Sequence, residues 1–155
     1  MSKERNKAVP AVYVILRHDG KVLLMERKNT GYYDGHYSLC AGHVDAGELP
    51  IPGMIREAKE ELGITFDPKD LKLVHVMYRE KHDDTGDRMD FFFETEHWSG
   101  EIENKEPHKC GHIGWFASNE LPKNIMSHVK FALECVQKGI MYSELSAKDI
   151  KNLSA

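Results

Sequence analysis

The chain has 155 residues, 41% apolar and 30% charged, with a formal net charge of −4 at pH 7. That length and apolar content suffice for one well-buried domain without staples, and mild acidity without a basic stripe argues against a polynucleotide binder. Cys40, Cys110 and Cys135 are odd in number and lack C-x-x-C spacing, so they indicate neither a disulfide framework nor a zinc site, but free thiols in a reducing, cytoplasmic setting.

Residues 1–8 read as a polar N-terminal extension. The apolar run that follows is interrupted by Pro10 and ends at Arg17, too short to span a bilayer, so no membrane partner is expected. Residues 9–17 and 22–27 read as strands, joined at His18-Asp19-Gly20-Lys21, where Asp-Gly is a strong hairpin signal. Tyr32, Tyr33, His36 and Tyr37 lie in a Gly-containing loop and either border a pocket or pack at its rim.

A helix is expected from about Pro50, because proline is tolerated only in a first turn whose N–H groups lack partners. Gly53 costs this helix roughly 1 kcal/mol relative to Ala, and Leu49 is a poor N-cap. At about 100° per residue, Ile51, Ile55, Ala58 and Leu62 share an apolar stripe, while Glu57, Glu60 and Glu61 form a separate arc. Gly63 closes the helix as a left-handed C′ residue would.

Glu57 and Glu61 stand at the i,i+4 spacing and Glu57 and Glu60 at i,i+3, where like charges destabilise a helix unless something offsets them. Acidic helix faces are often merely solvated. A divalent cation is the alternative, and carboxylate oxygens are the hard ligands that Mg2+ prefers, usually alongside water and substrate phosphate.

Further on, residues 71–80 and 89–96 read as strands separated by the turn-like Asp83-Asp84-Thr85-Gly86-Asp87, with a last strand at residues 112–116. At least one face of Phe91-Phe92-Phe93 is core, and Trp115-Phe116 reads the same way. A second helix over residues 125–138 carries Ile125, Val129, Ala132 or Leu133, and Val136 on one side. The domain is thereby set at residues 9–138, and residues 139–155 form a tail. Strands, helix, strands, helix make an α/β protein with helices on both faces of a mixed sheet.

From Gly42 to Ile64 the chain resembles the Nudix box, G-x5-E-x7-R-E-U-x-E-E-x-G-U, with U a bulky apolar residue. Gly42, Glu48, Arg56, Glu57, Glu60, Glu61, Gly63 and Ile64 fill its positions, with Ala58 a smaller residue than usual at the first U. Weaker resemblance extends over residues 9–131. It implies the Nudix fold, an α/β/α sandwich, and a hydrolase of phosphoric anhydride bonds. Glu57, Glu60 and Glu61, with the Gly42 carbonyl, would bind Mg2+ or Mn2+, and one glutamate would help deprotonate water. Arg56 and Glu48 would form an orienting ion pair.

Nudix enzymes often recruit one more carboxylate from a distant loop. Glu106 matches it here, with Glu103 as runner-up and a solvated acidic loop as the ordinary explanation. In MutT-like relatives an Arg of the second strand meets phosphate and an Asn before the last helix reads the base. Arg27 and Asn124 match those positions, and each has a plainer reading, as a surface strand charge and as a helix cap. His43, beside the metal loop where many relatives carry a second glycine, is placed to hydrogen-bond phosphate.

The resemblance is to MutT-like nucleoside triphosphate pyrophosphatases, which release a nucleoside monophosphate and pyrophosphate from a small-molecule nucleotide. ADP-ribose or nucleotide-sugar hydrolysis, and a nucleotide sensor without catalysis, are the alternatives. The complete set of box acids disfavours the sensor, and no motif speaks to oligomeric state.

Overall fold

The computed structural model describes residues 2–80 and 84–154. Strands β1 (Ala8–His18) and β2 (Lys21–Arg27) form the hairpin that the Asp-Gly pair foretold. Both turn residues take positive φ, Asp19 at 50° and Gly20 at 73°, the geometry whose twist suits a two-residue hairpin.

Two short strands follow, β3 (Tyr37–Ser38) and β4 (Cys40–His43), and then helix α1 (Pro50–Leu62). After the strands β5 (Lys72–Arg79), β6 (Asp87–Thr95) and β7 (Cys110–Ala117) come helix α2 (Ser127–Gln137), strand β8 (Tyr142–Leu145) and helix α3 (Ala147–Leu153). Asp83 of the expected turn lies outside the described residues.

The strands join in the order β3-β2-β1-β6-β5-β8, with β4 on β1 and β7 on β2. The long strand β1 is the centre of the arrangement. It pairs in parallel with β6, and antiparallel with β2 near one end and with β4 across Ala11–Val14. Alternate side chains of β1 therefore serve two cores. Ala11, Tyr13 and Ile15 pack towards α2 and α3, while Val12, Val14 and Leu16 pack towards α1. The helices cover opposite faces of a mixed sheet, the α/β/α sandwich expected.

Helix α1 begins at Pro50 with no side-chain cap from Leu49 and ends on Gly63, whose φ is 73° and whose N–H reaches Lys59 O at 3.1 Å. Its fully buried stripe is Met54, Ala58 and Leu62, with Ile51 and Ile55 only half-buried at its edge. Burying Met54 and Leu62 stabilises the fold by about 2 kcal/mol each. Helix α2 starts two residues later than its apolar spacing suggested. Ile125 instead forms a bridge with Tyr37, and Met126 donates its N–H to Tyr37 O.

The tail docks. Strand β8 runs parallel to β5, and the fully buried His75 of β5 ties the segment down, with Nδ1 2.7 Å from Ile140 O and Nε2 2.7 Å from Ser143 Oγ. Helix α3 opens with a capping box between Ser146 and Asp149 and packs on α2 and β8. The three cysteines are free and buried. Among the described residues, no helix is long and apolar enough to cross a membrane.

Candidate active site

Strand β4 delivers Gly42 to the flank of α1. A Cβ built on Gly42 would stand 2.1 Å from Glu57 Cδ, so only glycine leaves the Glu57 carboxylate its place. Gly53 has a parallel role, since a Cβ there would stand 2.8 Å from Glu48 Oε1. The helix accepts the propensity cost of Gly53 in return for seating Glu48 against its first turn.

Arg56 braces the cluster. Its Nε and Nη2 donate to the two Glu48 oxygens at 2.8 and 3.0 Å, its Nη1 donates to Glu57 Oε1 at 2.8 Å and to Glu60 Oε2 at 3.3 Å, and Nη2 also reaches His43 O at 3.0 Å. The bidentate pair with Glu48 is the strong kind of charge-assisted bond. Arg56 holds the Glu48 carboxyl down to about 2, with the Asp45 N–H helping. Arg56 is itself held protonated, chiefly by Glu48.

Glu57 and Glu61 move the other way. Burial raises the carboxyl of Glu57, and burial pushes that of Glu61 up to about 8, although the Cys40 thiol and the Ala41 N–H, 3.2 Å from Glu61 Oε2, both favour its ionised form. Glu106 reinforces both shifts through its charge, which brings a residue of the loop before β7 to the helix. Glu57, Glu60, Glu61 and Glu106 line one cleft of about 500 Å³, together with Arg27 and Lys109. Lys109 Nζ lies 3.5 Å from Glu106 Oε2. Glu103, in contrast, pairs with Lys105 at 3.6 Å and does not line the cleft.

Among the described residues, no three His, Cys, Asp or Glu side chains form a ready metal cage, and Arg56 pairs with both Glu57 and Glu60. The donor set nonetheless suits a hard divalent cation. Five carboxylates, those of Glu26, Glu57, Glu60, Glu61 and Glu106, share one cleft, and Glu60 and Glu61 sit in the last turn of α1, the negative end of its dipole, where anions are disfavoured. A cation at that end relieves the repulsion, the dipole and the buried charge together.

A second cavity, of about 370 Å³, meets the cleft along Arg27, Ser38 and Ala41 and extends over Tyr13, His43 and Arg79 to Arg88 and His128. His43 lies in this half and is held below its usual value by burial, with Arg88 adding to the effect. Arg27 spans both halves, with Nε donating to Tyr32 O at 2.7 Å and Nη2 to Thr30 Oγ1 at 3.1 Å, and its guanidinium 5.5 Å over the Tyr32 ring. Tyr32 alone of the loop aromatics lines the groove. Asn124 lines neither half. Its Nδ2 donates to Gly35 O at 2.7 Å and its carbonyl accepts from Tyr37 N, so it fixes the loop instead of capping α2, whose N-cap is Met126.

Sequence reasoning missed Tyr13, Arg79, Arg88, Asp90 and His128. The available signal was charge on the inward register of two strands, where Arg88 and Asp90 alternate with the core residue Phe92.

A model of the NUDIX domain matches residues 7–136. The chain is 33% identical over 132 residues to an ADP-ribose pyrophosphatase of Methanocaldococcus jannaschii, covering 84% of this chain and 75% of that protein. It is 34% identical over 58 residues to the CTP pyrophosphohydrolase of Escherichia coli K12, covering 37% of this chain and 43% of that protein. The crystal structure of a MutT NUDIX hydrolase from Burkholderia pseudomallei superposes with a TM-score of 0.75 at 27% identity, covering 83% of this chain and 98% of that one.

Proposed function

The chain belongs to the Nudix family of hydrolases, and from that premise we propose that it is a metal-dependent, MutT-like nucleoside triphosphate pyrophosphatase, releasing a nucleoside monophosphate and pyrophosphate. The observation that carries this reading is the convergence of Glu57, Glu60, Glu61 and Glu106 on one cleft, braced by Arg56 and opening into a cavity of about 370 Å³ lined by arginines and tyrosines. The acidic half suits cations on a phosphate chain, and the other half suits the rest of a nucleotide.

Glu57, Glu60 and Glu61, the Gly42 carbonyl and Glu106 would hold the divalent ion, with Mg2+ favoured by abundance and Mn2+ served by the same oxygens. When bound, such an ion neutralises phosphate oxygens and makes water a stronger nucleophile. Arg56 orients Glu57 and Glu60 from behind while Glu48 fixes the plane of its guanidinium, the supporting arrangement that metal ligands require. Glu61, buried beside Glu57 in the same cleft, is one of the glutamates that would help deprotonate water once a cation there holds it ionised. Arg27, between the two halves, is placed to meet the phosphate chain, and His43 to donate a hydrogen bond to it.

Adding one water across the α–β anhydride of a nucleoside triphosphate frees a nucleoside monophosphate and pyrophosphate, so pyrophosphate is the signature of this reaction. The test is a phosphate-release screen with Mg2+, with and without added pyrophosphatase for canonical and 8-oxo nucleoside triphosphates, and with added alkaline phosphatase to release phosphate from the monoester products of ADP-ribose, dinucleotide polyphosphates and nucleotide sugars, with Glu60→Gln as control. Release that requires pyrophosphatase supports the triphosphate reading. One observation favours a second reading, ADP-ribose hydrolysis, namely the 33% identity to the Methanocaldococcus jannaschii protein. Turnover of ADP-ribose to AMP in preference to every triphosphate would establish it instead.

A further inference from the structure

On the sheet face beneath the second cavity, Arg79 of β5 stands directly opposite Arg88 of β6. Like charges in directly opposed positions destabilise a strand pair, and both residues are buried, at 5% and 9% exposed. A sheet built for stability alone would not place them there.

The fold holds Arg79 rigidly. Its Nε donates to Asp90 Oδ2 at 2.5 Å and its Nη2 to Asp90 Oδ1 at 3.2 Å, and Asp90 is 0% exposed. Tyr13 Oη lies 3.4 Å from Nη2, longer than a full-strength bond, and is itself 3.2 Å from His128 Nε2. Tyr13 stacks on Phe92 with ring centroids 4.5 Å apart, which fixes the hydroxyl. Asp90 thus grips the Nε/Nη2 edge of the guanidinium, and the Nη1/Nη2 edge is the second bidentate edge that an arginine fork offers. Arg79 and Arg88 both line the cavity, and among the described residues lining it there is no Asp or Glu.

We propose that Arg79, positioned by Asp90, is the base-reading residue of this groove and selects nucleobases presenting two adjacent acceptor atoms. Those are O6 and N7 of a 6-oxopurine, or O2 and N3 of cytosine. Adenine sets an amino donor beside N7, and uracil sets an N–H between its carbonyls, so each turns a donor towards the fork. The inference rests on the substrate reading above, since it assigns the base to the half of the groove beyond the carboxylates.

The test is calorimetric binding of GMP, CMP, AMP and UMP to the intact protein, which needs no turnover. GMP or CMP should bind about tenfold more tightly than AMP and UMP, the lower end of what one bidentate contact discriminates. The contrast between GMP and CMP names the base. Arg79→Lys keeps a cation beside Asp90 but loses the fork, and should bring all four to within about twofold, raising KM for the preferred triphosphate while leaving kcat. Asp90→Asn, which retains the shape and loosens the grip, should show an intermediate ratio and serves if Arg79→Lys melts early. AMP or UMP binding as tightly as GMP and CMP to the wild type, no binding by any of the four, or discrimination that survives in a folded Arg79→Lys, each overturns the proposal. Hydrolysis of adenine nucleotides as readily as the others would overturn it while leaving the pyrophosphatase reading intact. An absence of all hydrolysis with selective binding retained would do the reverse.

Discussion

Gly42 and Glu57 cannot both carry side-chain volume at their point of contact, because a Cβ on Gly42 would stand 2.1 Å from the Glu57 carboxyl carbon. Gly42→Ala must therefore displace Glu57 by more than an ångström. A displacement of that size at a reacting centre costs on the order of 100-fold in rate. A steady-state assay beside a thermal melt separates this loss from unfolding, and the melt should change little, since Gly42 and Glu57 lie outside both core clusters.

Arg56 bonds three glutamates and the His43 carbonyl at once. Arg56→Gln leaves those carboxylates without their brace, so apparent Mg2+ affinity should fall by about 10–100-fold. The far-ultraviolet spectrum should be retained, because the core stripe of α1 does not involve this residue. A Mg2+ titration of activity, run with a circular dichroism melt, checks both parts.

Glu106 and Glu103 were rivals in the sequence, and their surroundings separate them. Glu106 lines the cleft, with its side chain 24% exposed, while that of Glu103 is 63% exposed beside Lys105. Glu106→Gln should lower turnover by about tenfold and shift its Mg2+ dependence, whereas Glu103→Gln should match wild type. Equal behaviour of the two variants in the same assay would remove Glu106 from the ion's ligands.

The Glu48–Arg56 pair sets a pH dependence with a definite sign. The carboxyl is depressed from its ordinary 4.5 to about 2 in the fold, so its stabilising effect is complete above about pH 4.5 and lost as pH falls towards 2. Glu48→Gln should accordingly melt below wild type at neutral pH, and the gap should close between those two values. A gap that is constant across the range in calorimetric melts would mean the ionised pair does not stabilise the fold.

Sequence carried far where the physics was local. The Asp19-Gly20 turn, the Pro50 start and Gly63 end of α1, and the arc of Glu57, Glu60 and Glu61 each follow from one residue's conformational preference or one periodicity, and all are found. Less was legible where distant segments meet. Strands β3 and β4 are two and four residues long, too short for an alternation, and β8 is a strand only because β5 and His75 receive it. Asn124 had the position of a cap, but Gly35, far away in the chain, claims its side chain. The Arg79–Asp90 pair looks like ordinary strand polarity until the β5–β6 register turns both residues inward. Gly53, counted as a cost to the helix, proves to be the space in which Glu48 lies.

Chelation tests the cation dependence of the Glu57–Glu60–Glu61 cleft most directly. The protein is stripped with EDTA, dialysed, and assayed for pyrophosphate release from its best nucleoside triphosphate as Mg2+ is returned, beside Glu57→Gln and Glu60→Gln. Chelation should abolish release, Mg2+ should restore it saturably, and each variant should lose at least about 100-fold. Release that persists undiminished after chelation, or that both variants retain, would contradict a cation-dependent reaction in the Glu57–Glu60–Glu61 cleft.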